Sequence, residues 1–419
     1  MKLLISTRSN QNITFQKIFL FFFLFIIISA CAPSKRFTEY KETETKDFTR
    51  EVRILLNDST NDISLGTDSY LISSNEKLAI IKSGNKFSAE AIHNEIFIKL
   101  GAKNFNSKEF YLQPADDSLL ILNNKKFRGR IKLINIDGAI KIINQISLED
   151  YVKGVMTKEM PVGKGNENYE ALKAFAIAAR TYAINKVFNS KTYYDLLPDI
   201  RDQVYGGADA EHPLSNRAVD ETEGLILTYD DEPATVFYHS TCGGFTESAA
   251  NVFTKDDISY LRTISDGNNA YCSISPNFNW TEMIPESLLI KRLFDAKLIN
   301  DTNCSINNLI IKSRFQSGRI NELEISLQCN DGTKSISIFG NQIRSIIKNK
   351  AGNGLLKSNN FIIEIDENRN IVITGKGSGH GVGLCQWGAI GQSRLGKNYK
   401  EILNHYYPGT EIKKLNDQN

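Results

Sequence analysis

From Val52 onward, short apolar runs alternate with Asn, Asp, Ser and Gly. The runs at 52–56, 78–81, 96–98, 119–122 and 131–134 have the length and polar bounds of ordinary strands. They predict a β-rich part over 49–147, without an internal repeat. The period changes at Ser147-Leu148-Glu149-Asp150, where a Ser followed by acids starts a helix running to Met160. Pro161-Val162-Gly163 breaks it. A second helix starts near Asn168 and carries Ala171, Leu172, Ala174, Phe175, Ala178, Ala179 and Tyr182 at helical spacing. Its alanines allow close approach to whatever lies beneath. Residues 225–229 and 234–238 read as a hairpin around Asp230-Asp231-Glu232. A helix over 286–298 and strands such as 322–327 mark a separate unit at 280–357. Residues 361–365 and 371–374 lead into a glycine-rich loop. A final helix then places Ile390 and Leu395 on an apolar face, and 406–410 is a turn. The fold class is α+β: mixed and strand-rich, with a small helical segment in a core over 148–279, an inserted α/β unit at 280–357, and a return of the core at 358–419.

The first thirty residues stand apart. Lys2, Arg8 and Lys17 precede an unbroken apolar run at 18–28, too short for a spanning helix of about 20 residues. The run fits a signal peptide over 1–30. Ile28-Ser29-Ala30-Cys31 resembles a bacterial lipobox, in which Cys31 is lipidated and becomes the mature N-terminus; the alternative is a plain signal peptide with an incidental Cys. Residues 31–48 alternate charge with Thr and read as a solvated tether. The expectation is an exported lipoprotein of the cell envelope, on a periplasmic or extracytoplasmic face, with the lipid as its only membrane attachment. The 419 residues are 41% hydrophobic and 23% charged, as in globular proteins. Formal net charge is +2. The three leader positives, with no acid before Cys31, bring the mature part to −1. Such a body gives no electrostatic reason to bind nucleic acid.

Several motifs then follow in order. Glu149-Asp150-Tyr151-Val152-Lys153-Gly154-Val155 runs into Glu159-Met160-Pro161, then Glu170-Ala171-Leu172-Lys173-Ala174 and Ala178-Ala179-Arg180-Thr181-Tyr182-Ala183. Asp202-Gln203-Val204-Tyr205-Gly206-Gly207 and Tyr238-His239-Ser240-Thr241-Cys242-Gly243-Gly244 come next, and Gly379-His380-Gly381-Val382-Gly383-Leu384-Cys385-Gln386-Trp387-Gly388-Ala389 closes the set. Over roughly 52–412 the chain resembles the SpoIID/LytB family, named for stage II sporulation protein D and an amidase enhancer. The resemblance implies work on peptidoglycan. The sporulation-type members are lytic transglycosylases that cut the MurNAc–GlcNAc bond of glycan strands stripped of stem peptides. Other members enhance a cell-wall amidase, so the alternative here is a non-catalytic glycan-binding enhancer or recruiter of an amidase. A structural lipoprotein at the cell surface is a third reading. The loop at 162–168 is longer than the family's.

The resemblance carries the family's essential glutamate onto Glu159 and its helix arginine onto Arg180. The chemistry agrees, because cutting a glycosidic bond needs an acid to protonate the leaving oxygen. In a lytic transglycosylase the muramyl 6-hydroxyl closes onto C1 and the same carboxylate accepts its proton. One Glu therefore serves twice, without an attacking water. A place at a helix C-terminus against Val155, Met156 and Met160-Pro161 raises a carboxylate's pKa, as an acid requires. Arg180 lies in an apolar helix, where an unpaired charge is costly. Its expected partner is substrate or a loop carbonyl, or else an ion pair with Glu170 or Asp202. His380, Gln386 and Tyr238 are the further candidate substrate contacts. The glycines from Gly375 to Gly383 are expected to let the backbone approach a sugar chain. They do not fit a G-x-G-x-x-G loop, and the Walker-like stretch from Gly391 has Asn398 where Ser or Thr is needed. No cofactor is required by this chemistry.

With Cys31 lipidated, Cys242, Cys272, Cys304, Cys329 and Cys385 remain. Five is odd, so disulfides alone cannot use them all. One partition pairs Cys304 with Cys329 and places Cys242, Cys272, Cys385 and His239 in a structural Cys₃His zinc site. Its competitor is one disulfide among Cys242, Cys272 and Cys385 with one free thiol. His239-x-x-Cys242 also admits a nucleophile-and-base reading, which nothing else in the sequence supports.

Overall fold

The computed structural model describes residues 51–57, 62–254, 256–330 and 332–415. The signal peptide, Cys31 and the tether lie outside the described residues. The architecture is mixed and strand-rich, as expected. A six-stranded antiparallel sheet runs in the order Glu51–Asn57, Ala139–Ser147, Arg130–Ile136, Glu109–Pro114, Ser69–Ser73 and Glu76–Ile81. A four-stranded antiparallel sheet, Asp62–Ser64, Lys86–Ile92, Glu95–Leu100 and Lys103–Ser107, accompanies it. Strands such as Ser69–Ser73 alternate buried and half-buried positions, burying Leu71 and exposing Tyr70 in part. That alternation carries one face of each sheet into a shared core.

The strand Ala139–Ser147 passes without a loop into helix α1, Leu148–Glu159. Ser147 caps it by accepting from the Asp150 N–H at 3.2 Å, and Glu149 and Asp150 occupy the first turn, where acids are favoured. Helix α2, Tyr169–Asn189, is buried on most of its circumference by small side chains. Ala174 and Ala178 are fully buried, so α2 is a central strut rather than a surface helix. Helix α3 is Pro213–Glu221. The hairpin expected at 225–238 is only partly formed. Leu225–Tyr229 pairs with Glu232–Pro233 alone and takes Glu411–Lys414 on its other edge. Tyr238–His239 instead pairs in parallel with Leu384–Cys385. That crossing joins the middle of the chain to the glycine-rich loop.

A second core is built from residues 280–373. It contains helix α4, Glu286–Asp295, the meander Cys304–Arg314, Ile320–Cys329 and Gly332–Phe339, and helix α5, Gln342–Ile347. The strands Phe361–Ile365 and Asn370–Lys376 pair in one sheet with Asn279–Pro285. Phe361, Ile371 and Ile373 are buried in this second core, so its edge lies near Lys376 rather than at 357. Cys304 and Cys329 face each other across the meander and are joined by a disulfide, as expected. Helices α6, Gln386–Arg394, and α7, Tyr399–Tyr406, return to the first core. Ile390 is buried as expected, whereas Leu395 is 70% exposed because α6 stops at Arg394.

Candidate active site

Glu159 is the last residue of α1. Its Oε1 accepts the Val204 N–H at 2.7 Å, and the Gln386 side chain from α6 donates to the same carboxylate. Burial raises the Glu159 pKa above the ordinary carboxylate range, and these two donors pull it only part of the way back. No ion pair to Glu159 occurs among the described residues, so no cation offsets the burial.

The Val204 N–H is fixed by its neighbours. Asp202 accepts from Tyr182 Oη at 2.9 Å and the Leu197 N–H at 2.8 Å, and pairs with Lys186 at 2.7 Å. Gln203 Oε1 accepts from Tyr151 Oη at 3.0 Å, and Tyr205 Oη donates to Asn144 Oδ1 at 2.7 Å. The side chains of Asp202, Gln203 and Tyr205 and the Val204 N–H thus anchor the segment to α1, α2, the strand Ala139–Ser147 and the backbone at Leu197. The sequence showed this motif but assigned it no role; its alternation of polar and aromatic residues was the available signal.

Tyr238 lies against Phe175, with ring centroids 4.9 Å apart, and the Glu159 charge acts on its phenol. Burial and that charge push the phenol's pKa up, so it stays protonated. Tyr238 Oη and Gln203 Nε2 are both buried, and the Gln203 amide acts on the phenol as a hydrogen-bond donor. The hydrogen-bonding capacity this pair has left beside one carboxylate marks a place for water or ligand.

Arg180 is not a substrate contact. It is fully buried. Its Nε and Nη2 reach Glu149 at 2.8 and 2.6 Å, and Nη1 donates to the Leu225 carbonyl at 2.9 Å. A guanidinium inside an alanine-rich helix needs a bidentate partner. Glu149, on the first turn of α1, provides it in place of Glu170 or Asp202.

Nor does the structure bring His380 against Glu159. Its ring packs against Phe253 and His239, with centroids 4.8 and 5.6 Å away, and its Nδ1 accepts the Val382 N–H at 3.0 Å. Burial and the Arg344 charge push its pKa down to about 3, leaving the ring neutral. Two glycines of this loop answer to packing, whereas Gly375 lines a large cleft. Gly381 (φ +92°) and Gly383 (φ +70°) use the left-handed region, and a Cβ would fall 2.4 Å from Arg319 Cζ in one case and 2.0 Å from the Phe237 carbonyl in the other. A cleft of about 1160 Å³ lies beside Gly243, Phe245, Phe278, Arg314, Asn360 and Gly375, and Glu159 does not line it.

Cys242, Cys272 and Cys385 are buried and free, and they meet at one point. The fourth ligand-type group there is Asp266; the four donor atoms lie within 4.8 Å of one another. His239, expected in that position, instead bonds through Nδ1 to the Val382 carbonyl at 3.1 Å.

The family model described as stage II sporulation protein matches residues 136–229, the segment holding α1, α2 and Glu159. Stage II sporulation protein D of Bacillus amyloliquefaciens is 31% identical over 289 residues, covering 64% of this chain and 75% of that protein. The chain belongs to the stage II sporulation protein D family. An uncharacterized protein of Brachyspira hyodysenteriae is 34% identical over 344 residues, covering 81% of this chain and 86% of its own length. The amidase enhancer of Bacillus subtilis is 29% identical over 308 residues, and this SpoIID-family chain spans 40% of its length. A domain family of unknown function matches residues 273–383, which takes in the second core. Among the described residues no helix is long and apolar enough to cross a membrane.

Proposed function

We propose that this SpoIID-family protein is a peptidoglycan lytic transglycosylase that cuts the MurNAc–GlcNAc bond of glycan strands lacking stem peptides. The observation that carries the reading is a half-buried Glu159 with a raised pKa, two N–H donors and no cation against it among the described residues. In the protonated state it donates to the glycosidic oxygen as the C1–O bond breaks. The muramyl 6-hydroxyl then forms the new bond to C1, and the Glu159 carboxylate, steadied by Val204 and Gln386, takes up that hydroxyl's proton. Asp202 supports a one-carboxylate scheme, because its oxygens are engaged by Tyr182, Lys186 and the Leu197 N–H. It is therefore held away from the role of a second catalytic carboxylate. Tyr238 Oη and Gln203 Nε2 supply the sugar contacts. Export and a lipid on Cys31 would place this activity at the membrane face of the wall. Incubating the protein with glycan strands stripped of their stem peptides should release soluble fragments, with Glu159→Gln reducing release by about a hundredfold to ten-thousandfold, the usual worth of a general acid. Release by the variant at the wild-type rate would exclude the assignment.

The amidase enhancer relative supports a second reading, recruitment or stimulation of a cell-wall amidase. Stimulation of an added amidase by the Glu159→Gln variant as strongly as by wild type, with no glycan release by either, would establish it instead.

A further inference from the structure

Cys242, Cys272, Cys385 and Asp266 meet from three separate stretches of chain. Cys242 follows the Tyr238–His239 strand, Asp266 and Cys272 belong to the loop before the second core, and Cys385 caps α6. All four are buried. The Cys242 and Cys272 sulfurs are 3.4 Å apart, outside bonding distance for a disulfide. Sulfurs bound to one tetrahedral zinc at about 2.3 Å are about 3.8 Å from each other, close to the spacing present. One of the sulfurs, that of Cys385, has the backbone donors a metal-bound sulfur commonly has, besides a 3.7 Å contact with the Ser240 carbonyl. Cys385 Sγ accepts the Cys242 N–H at 3.1 Å and the Gly388 N–H at 3.3 Å, the latter from the first turn of α6. Asp266 is oriented by Tyr406 Oη at 2.6 Å and the Cys272 N–H at 2.8 Å, the kind of outer support that fixes metal ligands.

A second observation comes from Arg319. It is fully buried, and it donates to the Cys242 carbonyl at 2.8 Å and the Phe245 carbonyl at 3.0 Å. It makes no ion pair among the described residues. Three thiolates and a carboxylate carry four negative charges; a divalent cation cancels two, and Arg319 lies beside the remainder. The Glu247 carboxylate also acts on Arg319.

We propose that Cys242, Cys272, Cys385 and Asp266 bind one divalent cation of the zinc type in a closed tetrahedral site. The ion ties the Tyr238 strand and the Asp266 loop to the start of α6, one residue before Gln386. It is a structural clamp, and its binding does not depend on what Glu159 does.

The full chain, purified in detergent without chelator, should carry one zinc per molecule by elemental analysis. Stripped and refilled with cobalt, it should show the intense visible bands and thiolate charge-transfer absorption of a tetrahedral site. Asp266→Asn and Cys385→Ser should bind zinc at least about tenfold more weakly, whereas Cys304→Ser with Cys329→Ser should keep it. If single variants fail to fold, the wild-type cobalt spectrum still decides. A wild-type chain that takes up neither zinc nor cobalt, or one whose peptide map links Cys242 to Cys272, would overturn the site.

Discussion

Glu159 is held in a site that costs the fold stability while it is ionised. Its native pKa lies above the ordinary carboxylate value because burial outweighs its two donors, so the native state holds the proton more tightly than the unfolded chain. Stability therefore falls as pH rises from the ordinary value through the raised one. Glu159→Gln, uncharged throughout, should be more stable than wild type near about pH 7 and close to it near about pH 4. Thermal melts at the two values check this, and a variant less stable at both would contradict it. Arg180 makes the opposite prediction. Replacing it with Met leaves Glu149 without its bidentate partner, at a cost of about 3 kcal/mol or more in urea unfolding. Glycan affinity of the folded fraction should stay unchanged, which a substrate-binding arginine would not allow. Glu159 was legible because its motif is contiguous. The partner of Arg180 was not, because Glu149 reads locally as a helix start and the ion pair spans 31 positions. Asp266 lies in no motif at all, so the fourth corner of the cysteine cluster was invisible in sequence.

At the level of elements, the site depends on how α1 meets the segment from Asp202 to Gly207. Gly154, inside α1, lets the Tyr205 ring lie against the helix backbone; a Cβ would fall 2.4 Å from that ring. The Gly154 carbonyl also accepts the Gly206 N–H at 3.0 Å. Alanine is favoured over glycine in a helix by about 1 kcal/mol, yet here Gly154→Ala should destabilise by about 1–3 kcal/mol through overpacking. Because Val204 adjoins Tyr205, glycan release should fall as well. Urea titration and the release assay measure the two effects, and a stabilised, fully active variant would refute the coupling. Both helices were readable from their periodicity and from Ser147. The pairing of Tyr238–His239 with Leu384–Cys385 was not, because two residues of parallel ladder across 146 positions leave no local pattern.

The whole described molecule has two cores, and the disulfide belongs to the second. Cys304→Ser with Cys329→Ser should lower the stability of that core by about 3 kcal/mol, as expected for a closed loop of this size. Hydrogen exchange should rise in the strands Cys304–Arg314 and Ile320–Cys329, with α1 and α2 unchanged. Uniform loss of protection across the chain would show a single cooperative unit instead. The helix-then-strand order of the second core was readable in the sequence. Its far edge was misplaced because the strands Phe361–Ile365 and Asn370–Lys376 have the same apolar pattern whichever sheet they join. Helix α1 and the segment from Asp202 to Gly207 converge on the Glu159 carboxylate. Stem-peptide-free glycan strands digested in heavy-oxygen water and analysed by mass spectrometry test the chemistry of that carboxylate most directly. The expected products end in 1,6-anhydro rings, carry no heavy oxygen and are absent with Glu159→Gln; reducing ends labelled from the water, or no products from wild type, would contradict the account.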